Sequence, residues 1–390
     1  DQPSDLRNPN NGADYVIVGH GSLLGAIQHL IAHRRAQGLQ VATIDVQDVY
    51  DEFNGGLRDP EAIQSFVRTA LQKWTAPAPA YVLLVGDGQG GFTQAQVFGA
   101  DLTGPTSSVS WVDYDVDGAL DLYVVREGIT NNLYKSVGGA GTTFIYSVTA
   151  GAQNDIGNGS AAVWTDGNLD GRMDLFIANQ FNPNVFLENI PAGFSDITMS
   201  SGIGENLGKA LGTAAGDYDN DGDFDLYVAN EGMADLLYRA TGPFLFTQMA
   251  GPNLGDRGDG RGVVWVDFNN DTFLDLYVVR NNQTDLMLMG DGAGNWTRVP
   301  VGPPEASGMG NAIACGDVDD DGDVDIFVSR EGESNVLFRN GMPNDNHWVK
   351  MRLTGLGTNT CAIGARVKVT TGGVTQTRLV TSGSGYLCNN

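Results

Sequence analysis

The stretch Asp217 to Leu226, DYDNDGDFDL, is one of five versions of the same phrase. Written Asp-x-(Asp/Asn)-x-Asp-(Gly)-x-x-Asp-(Leu/Ile), the others start at Asp113, Asp166, Asp267 and Asp317. Successive starts are 53, 51, 50 and 50 residues apart, so the phrase marks an internal repeat.

The spacing has a chemical purpose. Oxygens at positions 1, 3 and 5 of a tight loop, a backbone carbonyl at position 7 and a carboxylate at position 9 can surround a hard cation that takes about 6 to 8 oxygens. Calcium suits this donor set. The candidate ligands in the first loop are Asp113, Asp115, Asp117, the carbonyl of Ala119 and Asp121. The second offers Asp166, Asn168, Asp170, the carbonyl of Arg172 and Asp174, and the third Asp217, Asp219, Asp221, Asp223 and Asp225. The fourth offers Asp267, Asn269, Asp271, the carbonyl of Phe273 and Asp275, and the fifth Asp317, Asp319, Asp321, Asp323 and Asp325. About five calcium ions are expected. Glycine supplies the turn at position 6 except in the fourth loop, where Thr272 departs from the pattern.

The loops open like an EF-hand, but position 12 is Val124, Ile177, Val228, Val278 or Val328 rather than glutamate, and no amphipathic helix flanks them. The flanks read as strands: SVSWVD before the first loop, then DLYVV, LDLYVVR, FDLYVAN and VDIFVSR after others. Each such strand is followed by a phrase such as EGITNNLYKS, EGMADLLYRA or EGESNVLFRN. Over roughly residues 86–345 this resembles the FG-GAP/VCBS repeats of integrin-type β-propellers. The resemblance implies one four-stranded blade per repeat and a mainly β propeller of about 5–7 blades.

The chain has 22 Lys and Arg against 47 Asp and Glu, a net charge of −25, and 18 of the acids are the aspartates at positions 1, 3, 5 and 9 of the loops. Five Ca²⁺ would bring the net charge to about −15, so metal binding and folding are expected to be coupled. No basic patch suits nucleic acid, and no run of 18 apolar residues suits membrane insertion.

Residues 1–12 read as a polar arm. Residues 13–87 follow a different grammar: YVIVGH, a helix over SLLGAIQHLIAHRRAQG, the strand LQVATIDV, a helix over DPEAIQSFVRTALQKW and the strand YVLLVGD make a βαβαβ module with a parallel sheet. ADYVIVGH, AHRRAQGLQVATIDVQDVYDEFNGG and AYVLLVGDG resemble the N-terminal half of the catalytic domain of gingipain-type cysteine peptidases. That family takes its catalytic histidine and cysteine from later strands, which here give way to repeats, and no cysteine precedes Cys315. His20-Gly21 and the pair His29 and His33 are read as satisfied or solvated side chains, and no catalytic residue is assigned. Gly86 to Gly91 fits G-x-G-x-x-G, but a strand-like FTQAQVF follows instead of a helix, which argues against a nucleotide site.

VLLVGDGQGGFT at 82–93 is echoed by LMLMGDGAGNWT at 286–297, so the propeller region, set at 82–345, opens on a half blade. YVLLVGD is claimed by both modules, and the α/β sheet is the preferred home. Two residues before each loop stand Trp111, Trp164, Ala215, Trp265 and Cys315; the tryptophans read as core and Cys315 as a buried thiol. Residues 346–390 are strand-rich and resemble the ASPIC/UnbV module that follows similar repeats in cartilage acidic protein. Cys361 and Cys388 stand where that module has polar residues, and they are expected to pair as a disulfide, which suits an oxidising compartment outside the cell.

The expected protein is extracellular or at the cell surface, binds calcium, has no catalytic activity and acts as a structural or adhesive component. Its edge strands, at 81–99 and in ARVKV and TQTRLV, could close the half blade within the chain or pair with further copies to build a fibre or sheath. The alternative is a monomeric receptor-like propeller binding protein or glycan; a cysteine peptidase is the remote one.

Overall fold

In the computed structural model the chain divides into two compact units, Asp1–Gln94 and Ala95–Asn390. The structure describes residues 5–382 apart from 26, 57–59, 76, 78, 80, 86–95, 99–103, 138–142, 148–150, 153–156, 204–207, 252, 256, 301–307, 320, 343–345, 352 and 356–357. Gly86 to Gly91 and Cys388 lie outside the described residues, and with them the dinucleotide-like loop and the partner expected for Cys361.

The first unit holds a parallel sheet in the order β2-β1-β3, from β1 (Tyr15–Gly19), β2 (Val41–Asp45) and β3 (Tyr81–Val85). YVLLV therefore lies in the α/β sheet, with Tyr81 beside Tyr15 and Val85 beside Gly19. β1 is buried along its whole length because alternate residues serve two layers. Val16 and Val18 pack with Val49, Phe66 and Trp74, while Tyr15 and Ile17 pack with Ile31.

Three details depart from the sequence expectation. The first helix is broken into α1 (Gly21–Leu24) and α2 (Gln28–Ala36), with Gly25 between them. An unforeseen α3 (Val46–Asn54) precedes α4 (Pro60–Lys73). Its signals are local: the Asp45 side chain accepts from the Gln47 N–H, and Gly55 ends the helix at φ 59°. Part of the N-terminal arm is tied down rather than loose. Its Leu6 is buried, the Leu6 N–H donates to the Glu52 carboxylate at 2.9 and 3.1 Å, and Trp74 Nε1 donates to the Leu6 carbonyl at 2.9 Å.

The second unit is a run of antiparallel sheets, one per repeat. After β4 (Gln96–Phe98), the first blade holds β5 (Thr106–Val112), β6 (Asp121–Arg126), β7 (Asn132–Val137) and β8 (Thr143–Tyr146), with β4 added in parallel beyond β8. The second holds β9 (Asn158–Thr165), β10 (Asp174–Gln180), β11 (Val185–Ile190) and β12 (Gly193–Asp196). The third holds β13 (Ala210–Gly216), β14 (Asp225–Asn230), β15 (Leu236–Gly242) and β16 (Leu245–Met249). The fourth holds β17 (Gly260–Val266), β18 (Asp275–Gln283), β19 (Leu286–Gly290) and β20 (Trp296–Val299). The fifth has three strands, β21 (Gly308–Gly316), β22 (Asp325–Arg330) and β23 (Val336–Phe338), and is stitched to the fourth where Asn281 and Gln283 pair with Met309 and Gly308.

The first strands of successive repeats, β5, β9, β13, β17 and β21, lie side by side in chain order, as the innermost strands of a propeller do. This arrangement explains why the strand after each loop is apolar without interruption. Successive residues point to opposite faces, and each face meets a neighbouring blade. Leu175 and Ile177 join Val112, Tyr123 and Leu133 of the first blade, while Phe176 joins Leu226, Val228 and Tyr238 of the third.

The phrase after that strand also has a structural reason. In every repeat a side-chain oxygen accepts the backbone N–H five residues earlier: Asn131 from Arg126 (2.7 Å), Asn184 from Asn179 (2.9 Å), Asp235 from Asn230 (2.7 Å), Asp285 from Arg280 (2.8 Å) and Asn335 from Arg330 (3.0 Å). Asp285 also accepts the Tyr277 hydroxyl at 2.8 Å. Asp285→Ala should therefore leave a buried N–H and a buried hydroxyl unpaired and cost about 2–4 kcal/mol in urea unfolding. Asp285→Asn, which copies three of the other repeats, should stay within about 1 kcal/mol. Equal losses for both variants would refute this role.

The two ends of the run differ from its middle. Val109 and Trp111 on the leading face of the first blade are 42 and 40% exposed, and Phe327 and Leu337 on the trailing face of the fifth are 41 and 50% exposed. Trp164, in register with Trp111, is buried, and Trp265 is partly buried. The core assignment therefore fails for Trp111: it occupies the equivalent position, but the described residues put no preceding blade against it. Cys315 is half-buried rather than buried, in a blade covered on one side. ARVKV and TQTRLV pair with each other, as the hairpin β24 (Arg366–Thr371) and β25 (Val374–Leu379), and among the described residues with no blade.

Candidate metal centre

The same backbone hydrogen bonds shape each loop. The first aspartate accepts from the N–H of position 6 in all five, at 3.0 Å from Gly118, 3.1 Å from Gly171, 3.2 Å from Gly222, 2.8 Å from Thr272 and 3.3 Å from Gly322. Position 5 accepts from position 7 at 2.9 Å (Ala119, Arg172 and Phe273) or 3.0 Å (Asp223 and Asp323), bringing that peptide into the turn. Thr272 adopts the left-handed conformation of its glycine counterparts, with φ 87°, so the fourth loop keeps the common shape at the expense of backbone strain.

Position 9 carries a second duty. Asp121, Asp174, Asp225 and Asp275 are fully buried and Asp325 nearly so. One oxygen of each accepts from the N–H of position 2, and the other from an N–H on or just beyond the third strand: Ser136, Asn189, Ala240, Gly290 or Asn340, at 2.7–2.9 Å. The carboxylate thus ties the loop to its own blade. Neighbouring loops are linked too: Asn220 Nδ2 donates to the Thr272 carbonyl at 3.0 Å and Asn270 Nδ2 to Asp323 at 2.8 Å.

Carboxylate oxygens converge in three of the loops. Those of Asp113, Asp115 and Asp121, of Asp217, Asp219 and Asp225, and of Asp317, Asp319 and Asp325 each lie within 4.8 Å of one another. In the second and fourth loops the third position is Asn168 or Asn269. Each donates its amide to position 5, at 3.0 Å, and accepts the N–H of position 5 at 3.1 Å.

Burial makes these acids costly as bare anions. It pushes Asp121, Asp174 and Asp275 up to about 7, Asp217 to about 6, and Asp225 well above the usual range. In the third loop Asp217 Oδ1 and Asp219 Oδ1 are buried without a well-aligned donor, although the Thr377 hydroxyl lies near enough to Asp217 to oppose the upward shift of its pKa. Unsatisfied anionic oxygens turned to one point are what an oxygen-seeking cation requires. The donor set fits a calcium-type ion.

What faces the loops was not anticipated from the motifs. Arg366 approaches Asp166 at 4.0 Å, and Lys350 approaches Asp317 at 3.9 Å. The half-buried Arg378 feels the charges of Asp267 and Asp217. The Asn359 N–H donates to the Gly118 carbonyl at 3.3 Å, and Asn346 Nδ2 to the Asn269 carbonyl at 2.9 Å. The C-terminal segment therefore lies across the loops. A signal was available, since residues 346–390 hold five Lys and Arg and no acid in a chain of net charge −25. His20, His29 and His33 in the first unit are exposed.

Three family descriptions match the chain. Residues 8–177 match Peptidase family C25, residues 166–228, 217–278 and 267–328 match the FG-GAP-like repeat, and residues 355–390 match ASPIC and UnbV. The first match runs past the α/β unit into strands that fold as the first two blades. Among curated proteins no relative matches. Among solved structures, the Photorhabdus luminescens Tc holotoxin pore is similar at 16% identity and a TM-score of 0.38, over 65% of this chain and 12% of that one. BBS1N in complex with ARL6DN is similar at 10% identity and a TM-score of 0.35, over 72% of this chain and 93% of that one. No helix among the described residues is long and apolar enough to cross a membrane.

Proposed function

We propose that this chain is an extracellular, calcium-binding propeller protein without catalytic activity, acting as a structural or adhesive surface component. The observation that carries the reading is the third loop, where buried oxygens of Asp217 and Asp219 lack well-aligned donors and converge with Asp225. The FG-GAP-like match over residues 166–328 supports it. Open, partly solvated loops of this kind suit the calcium levels outside cells, about 10⁻³ M.

Its partner, in this reading, is another copy of itself. Inside the run, the trailing face of one blade always packs on the leading face of the next. The trailing-face residues Phe327 and Leu337 of the fifth blade and the leading-face residues Val109 and Trp111 of the first are built on the same pattern and are exposed, although Val124, Tyr134 and Phe144 of that leading face are buried. Their pairing between copies is head-to-tail and does not close, which gives fibres. Elemental analysis should return about five calcium ions per molecule, and fewer than three would refute the calcium reading. Light scattering in calcium should show polymers that Phe327→Glu dissolves; a monomer at every concentration would favour the receptor-like alternative.

A further inference from the structure

The third position of the loops alternates along the chain: Asp115, Asn168, Asp219, Asn269, Asp319. A second position alternates with it. Twenty-two residues after the first aspartate of each loop stand Lys135, Glu188, Arg239, Met289 and Arg339. Wherever the third position is an acid, the later position is a cation; wherever it is an amide, it is not.

The structure brings these two positions together. Lys135 pairs with Asp115 and also lies 3.1 Å from Asp117. Arg239 lies 2.6 Å from Asp219 and 3.5 Å from Asp221. Arg339 pairs with Asp319. These are the three loops whose carboxylates converge within 4.8 Å. Arg172 of the second loop is a different case: it sits in the loop itself, at position 7, and pairs with Asp170 at position 5.

We infer that Lys135, Arg239 and Arg339 are resident counter-ions that occupy the third ligand of loops one, three and five and must be displaced when metal binds there. The inference rests on the calcium reading above. A fourth carboxylate strengthens cation binding but leaves the empty loop with one more repelling charge. A tethered cation offsets that charge in the metal-free protein and then competes with the metal for the same oxygens. An asparagine at position 3 brings no additional charge and requires no counter-ion. The Asp219 side chain is 4% exposed and its Oδ1 lacks a well-aligned donor, so Arg239 satisfies this carboxylate only in part and a divalent ion can satisfy it better.

The test is a calcium titration against a chromophoric chelator at low salt. The side chains of Lys135, Arg239 and Arg339 are 32, 41 and 64% exposed, so replacing them leaves the core intact. The triple variant Lys135→Met, Arg239→Met, Arg339→Met should tighten three sites about tenfold and leave the other two unchanged. Adding Asp115→Asn to Lys135→Met recreates the composition of the fourth loop and should return that site to its original affinity. Glu188→Gln should change nothing at the three odd sites. If wild type binds calcium and the triple variant binds it with unchanged affinity, the counter-ion role is overturned. If wild type binds no calcium, the calcium reading itself fails, and this inference with it.

Discussion

Removing divalent cations is expected to lower the melting temperature by about 10 °C or more at pH 8, and by much less at pH 5. The sign follows from the buried carboxyls. Asp121, Asp174 and Asp275 rise to about 7 in the metal-free fold and Asp217 to about 6, from an ordinary value of 3.8, with burial as the main cause. A carboxyl whose pKa is raised by folding contributes stability below its ordinary value and loses it as pH climbs through the raised one. A three-unit rise is on the order of 4 kcal/mol for each such group. The chelated protein should thus melt at progressively lower temperature between pH 4 and pH 8. Calcium replaces the proton as the partner of these oxygens, so its stabilisation should grow over the same interval. Melting curves at pH 5 and pH 8, with EDTA and with calcium, supply the comparison; EDTA curves that rise with pH would contradict the burial argument.

Trp164→Ala should cost about 3–5 kcal/mol, whereas Trp111→Ala should cost about 1 kcal/mol or less in the monomer. The two residues occupy the same place in successive repeats, each two residues before its loop. Trp164 is 4% exposed, packs edge-on against Tyr123 at 5.6 Å and near Phe194 at 6.1 Å, and donates Nε1 to the Ser110 hydroxyl at 2.9 Å. Truncating it leaves a cavity between the first two blades and an unpaired hydroxyl. Among the described residues Trp111 meets Phe144 of its own blade and the segment around Ser382, whose hydroxyl bonds the Trp111 backbone rather than the ring. Chemical denaturation of both variants at low protein concentration would decide the matter. Equal losses would mean that the leading face is covered, and head-to-tail assembly would lose its support.

Much of this protein was legible in its sequence. The loop phrase encodes its own geometry, because aspartates at positions 1 and 5 accept backbone N–H groups a few residues away and glycine or Thr272 turns the chain. The uninterrupted apolar strand after each loop, and the Asn or Asp that fixes its end, are likewise local statements repeated five times. The strand YVLLV could be placed in the parallel sheet because its grammar matches YVIVG, with which it pairs.

Other features were decided only in three dimensions. Identical strand positions became buried or exposed according to whether another blade packs on them, as Trp164 and Trp111 show, and no local pattern carries that information. The pairing of Lys135 with Asp115 spans 20 residues and that of Arg366 with Asp166 spans 200, so their meeting depends on how blades and the C-terminal hairpin are stacked. Sequence set what each repeat would become, since hydrogen bonds within a loop need only near neighbours. Burial and electrostatics depend on everything that surrounds a side chain, so tertiary structure chose which repeats are covered and which aspartates face a cation.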